Sequence, residues 1–452
     1  MFKERQITSM SLLAYALPAA AFAIPTIPVA IHVPGLYAED MGLGLAAVGA
    51  ALLIARFFDI ISDPLAGIIS DRFPLPWGRR KTWVILGALA AGFGLYRLFS
   101  PPAGADINYL LTWSVVLYVG WTFVTVPYNA WGAELSETYD GRTRITTARE
   151  ACGVIGILVA SIAPFLLSYM ELDDEASRQG IVWIAFMFGT PALIFLILLV
   201  PERPRPPSAK PYFSRASLKA IAKNSLFIRL VTAWFLNGTA NALTVILLPL
   251  YIKYVLAVPH ETRDALIFLY FASAVLALPF CAKLSKRLSK HQSWSVIMTG
   301  ASLTFLLVPL VGPGDVWLFA IVCAITGAAL GADLALPPAM QADVIDIDRL
   351  HTHEERAGLF FAFWGMATKL ALALAIGCAF PLLDATGFVT DGTTNSPPAL
   401  MMLMVLYATV PAALKFAAIG LMWNYPLSRK RQEALRRRLS RRPSSPRKRA
   451  AA

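Results

Sequence analysis

PERPRPPSAKPYFSRASLKAIAKNS, residues 201–225, is the stretch on which the fold turns. It is the longest polar insert between apolar segments, rich in proline and basic residues. Before it, apolar runs fall near 11–36, 42–70, 82–100, 108–133, 147–170 and 180–200. After it they fall near 226–256, 265–282, 294–312, 315–341, 359–383 and 398–424. About twenty apolar residues cross a bilayer as a helix. The pattern predicts an all-α membrane protein of about twelve transmembrane helices. Its parts are a six-helix half over 1–200, a linker over 201–225, a second six-helix half over 226–425 and a basic tail over 426–452.

Composition agrees. The chain has 452 residues, 57% hydrophobic and 15% charged, against about 45–50% and about 25% in soluble domains. The net charge of +12 does not point to nucleic acid, because it is local: residues 429–449 hold eleven Lys or Arg and one Glu. Such a run reads as a solvated arm. Cys152, Cys281, Cys323 and Cys378 sit in or beside apolar segments without a C-x-x-C spacing and read as small buried side chains. No nucleophile–His–acid set, Gly-rich phosphate loop or His/Cys metal spacing appears, so an enzyme is not expected. The expected partners are a small-molecule solute and membrane lipid, around a monomer with no cofactor.

Alternate loops are basic: Arg72, Arg79, Arg80 and Lys81; then the central linker; then Lys283, Lys286, Arg287 and Lys290; then the tail. The intervening loops are neutral or acidic, such as Glu39–Asp40 and ELDDEASRQG from Glu171. The positive-inside rule makes the basic loops cytoplasmic. Both termini are then cytoplasmic, in a plasma (inner) membrane. Two six-helix halves joined in this way match the major facilitator architecture, where solutes bind near the midplane between halves.

Within the second segment, ARFFDIISDPLAG (55–67) buries three charges. Residues three and four apart share a helix face, so Asp59, Ser62 and Asp63 form an oxygen-rich patch with Arg56 one turn earlier. Two carboxylates this close need a shared proton or a cation between them, which is coupling-ion chemistry for H+ or Na+. A structural Arg56–Asp59 bridge is the plainer alternative. Intramembrane charge is costly and marks function by default. Arg149, Lys369 and Asp333 are further charges inside apolar segments, and Thr122, Thr125 and Asn129 give the fourth segment a polar side. Arg97 and Lys415 read as snorkelling residues near span ends. Asn237 and Asn241 read equally as cavity lining or as interhelical hydrogen bonds.

Three stretches together resemble the glycoside–pentoside–hexuronide:cation symporter family, the melibiose-permease-like branch of the major facilitators. They are ARFFDIISDPLAGIISDRFPLPWGRRK (55–81), VPYNAWGAELSETYDGRTRITTAR (126–149), and LPPAMQADVIDID (336–348) followed by RAGLFFAFWGMATKL (356–370). The resemblance implies a cation site at Asp59, Ser62, Asp63 and Thr122. It implies a charge network near the solute at Arg56, Arg149 and Lys369, and Thr125, Asn129 and Asp333 are expected to line the same cavity. It implies a cytoplasmic gate that includes Asp71, Arg79, Arg142, Asp343 and Asp346. The family's two sugar-binding aspartates align with Ala23 and Thr125, and its two sugar-supporting aromatics with Asn129 and Leu334. Asp333 is the expected replacement polar anchor. The expected function is cation:solute symport of a sugar, glycoside or related organic solute by alternating access. The alternatives are an amphipathic or anionic non-sugar solute, or a non-transporting assembly or sensor protein.

Overall fold

Backbone in hydrocarbon must satisfy its own N–H and C=O groups, and apolar segments do so by coiling into helices. The computed structural model describes residues 8–72, 78–136, 139–168, 174–202, 219, 221–352, 357–390 and 395–427. Most of the linker and the tail from residue 428 lie outside that range. The spanning helices are α1 (Ser9–Asp40), α2 (Leu45–Arg72), α3 (Lys81–Phe99), α4 (Ile107–Glu134), α5 (Tyr139–Ser168) and α6 (Asp174–Leu199). The second half has α7 (Ser225–Leu256), α8 (His260–Arg287), α9 (Lys290–Leu310), α10 (Val316–Thr352), α11 (Ala357–Ala385) and α12 (Pro397–Met422). Among the described residues, 11 helices are long and apolar enough to cross a membrane. The twelfth, α5, is a helix of 30 residues whose stretch 151–168 carries no Asp, Glu, Lys or Arg.

Several helix starts are set locally. Asp106 caps α4 by accepting from the Tyr109 backbone N–H at 2.9 Å, and Asn224 caps α7 through Phe227 N–H at 3.1 Å. Ser289 and Gln292 form a capping box on α9. Within α1, Pro25 lacks an amide donor and divides the helix into Ser9–Ala23 and Thr26–Gly35.

Both halves use the same pairings. Helix α1 packs on α5 and α6, α2 on α4, and α3 on α4 and α6; in the second half α7 packs on α11 and α12, α8 on α10, and α9 on α10 and α12. Small residues allow close approach. A Cβ on Gly156 of α5 would lie 2.2 Å from the Ala20 carbonyl of α1, and one on Gly331 of α10 would lie 2.0 Å from the Ala274 carbonyl of α8.

The halves meet along α2–α11 and α5–α8. One apolar core crosses between them at the end away from the termini; it includes Ile27, Leu52, Leu247 and Phe380. At the end that holds the termini the cores are separate. Tyr15, Val84, Trp131 and Leu196 belong to the first half, and Phe227, Trp294, Leu336 and Phe360 to the second. The halves are therefore joined at the far end and part towards the terminal end.

The far-end seam also has polar ties. The last turns of α1 (Leu36–Asp40) and α7 (Ile252–Leu256) both widen to π-helix, and they bring Glu39 and Lys253 into an ion pair across the halves. Thr390 donates to the Ala38 carbonyl at 3.1 Å. A cavity of ≈410 Å³ beside this seam is lined by His32, Glu39, Arg178, Lys253, Arg263 and neighbouring apolar residues.

Candidate functional site

Helical spacing on α2 places Arg56, Asp59 and Asp63 where the sequence predicts, and tertiary packing supplies what faces them. Lys369 of α11 reaches across from the other half. Its Nζ lies 2.8 Å from Asp59 Oδ1 and 2.7 Å from Asp63 Oδ1, and 3.3 Å from the Asp59 carbonyl. Thr122 Oγ1 of α4 is 3.0 Å from Asp59 Oδ1 and 3.1 Å from Asp63 Oδ1. One ammonium thus sits among oxygens from α2 and α4. Asp59 and Thr122 are buried, at 4% and 1% exposure.

Arg56 completes the charge balance. Its Nη1 is 3.3 Å from Asp59 Oδ2, and its guanidinium lies over the Tyr118 ring, 3.9 Å from the centroid. That stacking keeps a cation in an apolar setting at a modest electrostatic gain. Two carboxylates and two cations make the cluster neutral when all four are ionised. Removing one partner of such a buried pair costs about 3–5 kcal/mol. Ser62 is buried beside the pair, but its hydroxyl donates to the Asp59 carbonyl at 2.9 Å, which ties it to the α2 backbone.

Arg149 and Asn129 form a second polar group. Arg149 donates to Asn129 Oδ1 at 2.6 Å and to Glu150 at 2.6 Å. Asn129 is exposed, whereas Thr125, one turn earlier on α4, is partly buried. Alongside them, Tyr15 and Tyr128 stack at 4.7 Å between centroids.

Asp333 does not join these groups. The α10 helix turns it into the second half, where it is 1% exposed. It accepts from Trp294 Nε1 at 2.5 Å and from Asn241 Nδ2 at 2.7 Å. Both of its carboxylate oxygens are engaged within the half. The snorkelling reading of Lys415 is corrected. It is 2% exposed and does not snorkel; its Nζ donates to Asn237 and Asn241 Oδ1, each at 2.7 Å. The two asparagines make interhelical hydrogen bonds.

At the terminal end, Arg79 binds both Glu134 oxygens at 2.7 and 2.8 Å, and Arg80 joins Glu134 at 2.9 Å. Lys290 binds Asp343 at 2.5 Å. These pairs occupy matching places, start of α3 to end of α4 and start of α9 to end of α10, and each stays inside one half. Asp346 follows on α10, partly buried. The side chains of Asp71 and Arg142 lie outside the described residues. Gly78 has φ +123°, and a Cβ there would lie 2.2 Å from Glu202 Oε2. Glu202 in turn accepts from the Arg80 amide at 2.6 Å.

Sequence reading missed Tyr118, Glu134, Glu202, the Glu39–Lys253 pair and the environment of Lys415. A Lys placed among apolar residues on α12 was the available signal for the last; its partners lie on two other helices, α7 and α10.

The described sequence model of MFS/sugar transport proteins matches residues 14–429. The uncharacterized symporter YnaJ of Bacillus subtilis is 24% identical, covering 90% of this chain and 89% of the relative. The putative glycoside/cation symporter YagG of Escherichia coli is 23% identical over 89% and 88%. The human sodium-dependent lysophosphatidylcholine symporter 1 is 24% identical over 86% and 78%. Among solved structures, a D-xylose–proton symporter superposes with a TM-score of 0.68 at 15% identity, covering 93% of this chain and 98% of that one. At that identity the likeness speaks for the fold.

Proposed function

The chain belongs to the MFS/sugar transport protein family, and from that premise we propose a cation:solute symporter working by alternating access. H+ or Na+ is the coupling ion, and a sugar, glycoside or related organic solute is the cargo. The chain is placed as a multi-pass monomer in the plasma membrane with both termini cytoplasmic, in contact with membrane lipid. The halves 1–200 and 226–425 rock about the linker 201–225, with the tail 426–452 in the cytoplasm. In that orientation the parted end faces the cytoplasm.

One observation carries the reading: the Lys369 ammonium of one half lies among the Asp59, Asp63 and Thr122 oxygens of the other. A cation that binds the two carboxylates has to displace Lys369. Lys369 rides on the opposite half, so cation occupancy and the arrangement of the halves are linked, and linkage is reciprocal. A displaced Lys369 is then a cation available to the solute, together with Arg149. Thr125 and Asn129 are the polar groups of α4 assigned to the solute cavity. Ser62 serves the cation through its lone pairs, since its proton is held by the backbone. The charges Asp71, Arg79, Arg142, Asp343 and Asp346 form the cytoplasmic gate when the parted end closes.

The test is concentrative uptake into proteoliposomes under an imposed Na+ or H+ gradient. Asp59→Asn and Asp63→Asn are expected to abolish ion-driven accumulation. Full accumulation by the double variant would overturn the reading.

Arg149 and Lys369 favour a second cargo class, an anionic or amphipathic solute, because the aligned sugar aspartates are Ala23 and Thr125 here. Thermal-shift screening against glycosides, uronates and lysolipids, with and without Na+, separates the two classes.

A further inference from the structure

A second ammonium is enclosed in oxygens, and nothing in the symport reading uses it. Lys415 of α12 donates to Asn237 Oδ1 and Asn241 Oδ1 of α7 at 2.7 Å each. Asp333 Oδ2 of α10 lies 3.8 Å away. The hydrogen-bond directions are forced. The Trp294 indole N–H is only a donor, and it points at Asp333 Oδ1. Asn241 gives its N–H to Asp333 Oδ2 and its carbonyl oxygen to Lys415. Both Asp333 oxygens therefore accept a hydrogen bond, as a carboxylate does. Lys415 and Asp333 are each 2% exposed at the side chain. Asn237 is wholly buried, and its Nδ2 has no partner.

This arrangement repeats the one around Lys369: an ammonium, at least one carboxylate and neutral oxygens. The difference is the source of the amine. Lys369 comes from the opposite half; Lys415 comes from the same half as its cage, on a helix that packs along α7 and α9. Rocking the halves would withdraw Lys369 and leave Lys415 in place.

We propose that Lys415 is a built-in cation, permanently filling an oxygen cage made by Asp333, Asn237 and Asn241. Of the Asp59/Asp63 and Asp333 clusters, only the one at Asp59 and Asp63 then exchanges its cation. This rests on the symport reading only for the role of Asp59 and Asp63. The cage itself is a statement about the second half.

The test uses the purified full-length chain in the Asp59→Asn/Asp63→Asn background, which removes the first site. Thermal unfolding is followed in NaCl, LiCl and choline chloride at constant ionic strength, from pH 6 to pH 9. Lys415→Met is expected to create a new stabilisation by Na+, Li+ or protons, because Asp333 loses its counter-charge. A ligand that binds only the folded state raises Tm with its concentration. The combination Asp333→Asn/Lys415→Met is expected to lack that new dependence and to match the parent background. Identical cation and pH dependence of the single and double changes would overturn the proposal.

Recovery from membranes is the second readout if Lys415→Met does not survive purification. Breaking a buried pair is far more damaging than removing both members. Each single change should lower recovery and the double change should restore it; a double no better than the singles overturns the proposal. Residual Na+ stabilisation of the background that Asp333→Asn/Lys415→Met leaves intact would count against the Asp59/Asp63 reading, not against the cage.

Discussion

Lys369 and Lys415 pose the same electrostatic problem and meet it differently. Each is an amine carried by an apolar helix into the membrane interior, and each ends among side-chain oxygens. Lys369 crosses from α11 to oxygens on α2 and α4, and it keeps 23% side-chain exposure. Lys415 stays within its own half at 2%. A charge pair that spans two moving bodies is broken and remade by their motion. One inside a single body is a fixed counter-charge. On the proposed reading, the same chemistry is a switch in one place and a scaffold in the other.

The comparison breaks most visibly at the shared site. Lys369→Met is expected to abolish coupled uptake while leaving a chain that folds, with stronger stabilisation by the coupling ion, since the tethered competitor is gone. Uptake and Na+- or pH-dependent thermal shifts check this together. Uptake at wild-type rate with Lys369→Met would place the switch elsewhere.

Next in size is the seam that the rocking motion must open. A Cβ on Gly377 of α11 would lie 2.6 Å from Leu53 Cδ2, and one on Gly49 of α2 would lie 2.9 Å from Phe380 Cβ. Gly377→Val should cost the joined far end about 1–3 kcal/mol, the usual range for overpacking. The outcome expected is a population shifted towards far-end opening, read as increased labelling of a cysteine placed at the buried Leu52 of the same core, with Leu53 kept in place.

A smaller effect is expected from Glu39→Gln, which removes the charge tie at the same seam. Partly exposed ion pairs contribute up to about 1 kcal/mol. Far-end labelling should rise modestly, and the swap Glu39→Lys/Lys253→Glu should bring it back.

Smallest of all is the neutral exchange inside the second half. Asp333→Asn/Lys415→Met is expected to retain uptake within about threefold, a difference of under ~1 kcal/mol. Loss of uptake in a well-folded double variant would return Asp333 to a part in solute handling and erase the contrast between the two amines.

Legibility followed the range of the interaction. The α2 motif was readable because Arg56, Asp59, Ser62 and Asp63 are brought together by helical pitch alone. The twelve helices and the two halves were readable from apolar run length and the polar insert at 201–225. Lys415 was misread because its distance from a span end says nothing of what faces it; Asn237, Asn241 and Asp333 lie on α7 and α10. The partners of Asp333 were out of reach for a related reason. Its neighbour Leu334 is 39% exposed, and a rotation of about 100° per residue, from 3.6 residues per turn, separates a position facing outward from one facing α9 and α12. The pairs Arg79–Glu134 and Lys290–Asp343 join helices whose adjacency only the folded bundle reveals.

The sequence by itself determined that this chain spans a membrane as helices, that it is built from two six-helix halves, and that α2 carries paired carboxylates. Those features depend on hydropathy, run length and a 3.6-residue period, all local quantities. Only the tertiary structure decided which ammonium neutralises which carboxylate, and which end of the molecule holds a shared core. Those outcomes depend on helix rotation and on contacts between residues as far apart as Asp59 and Lys369, which no local pattern encodes.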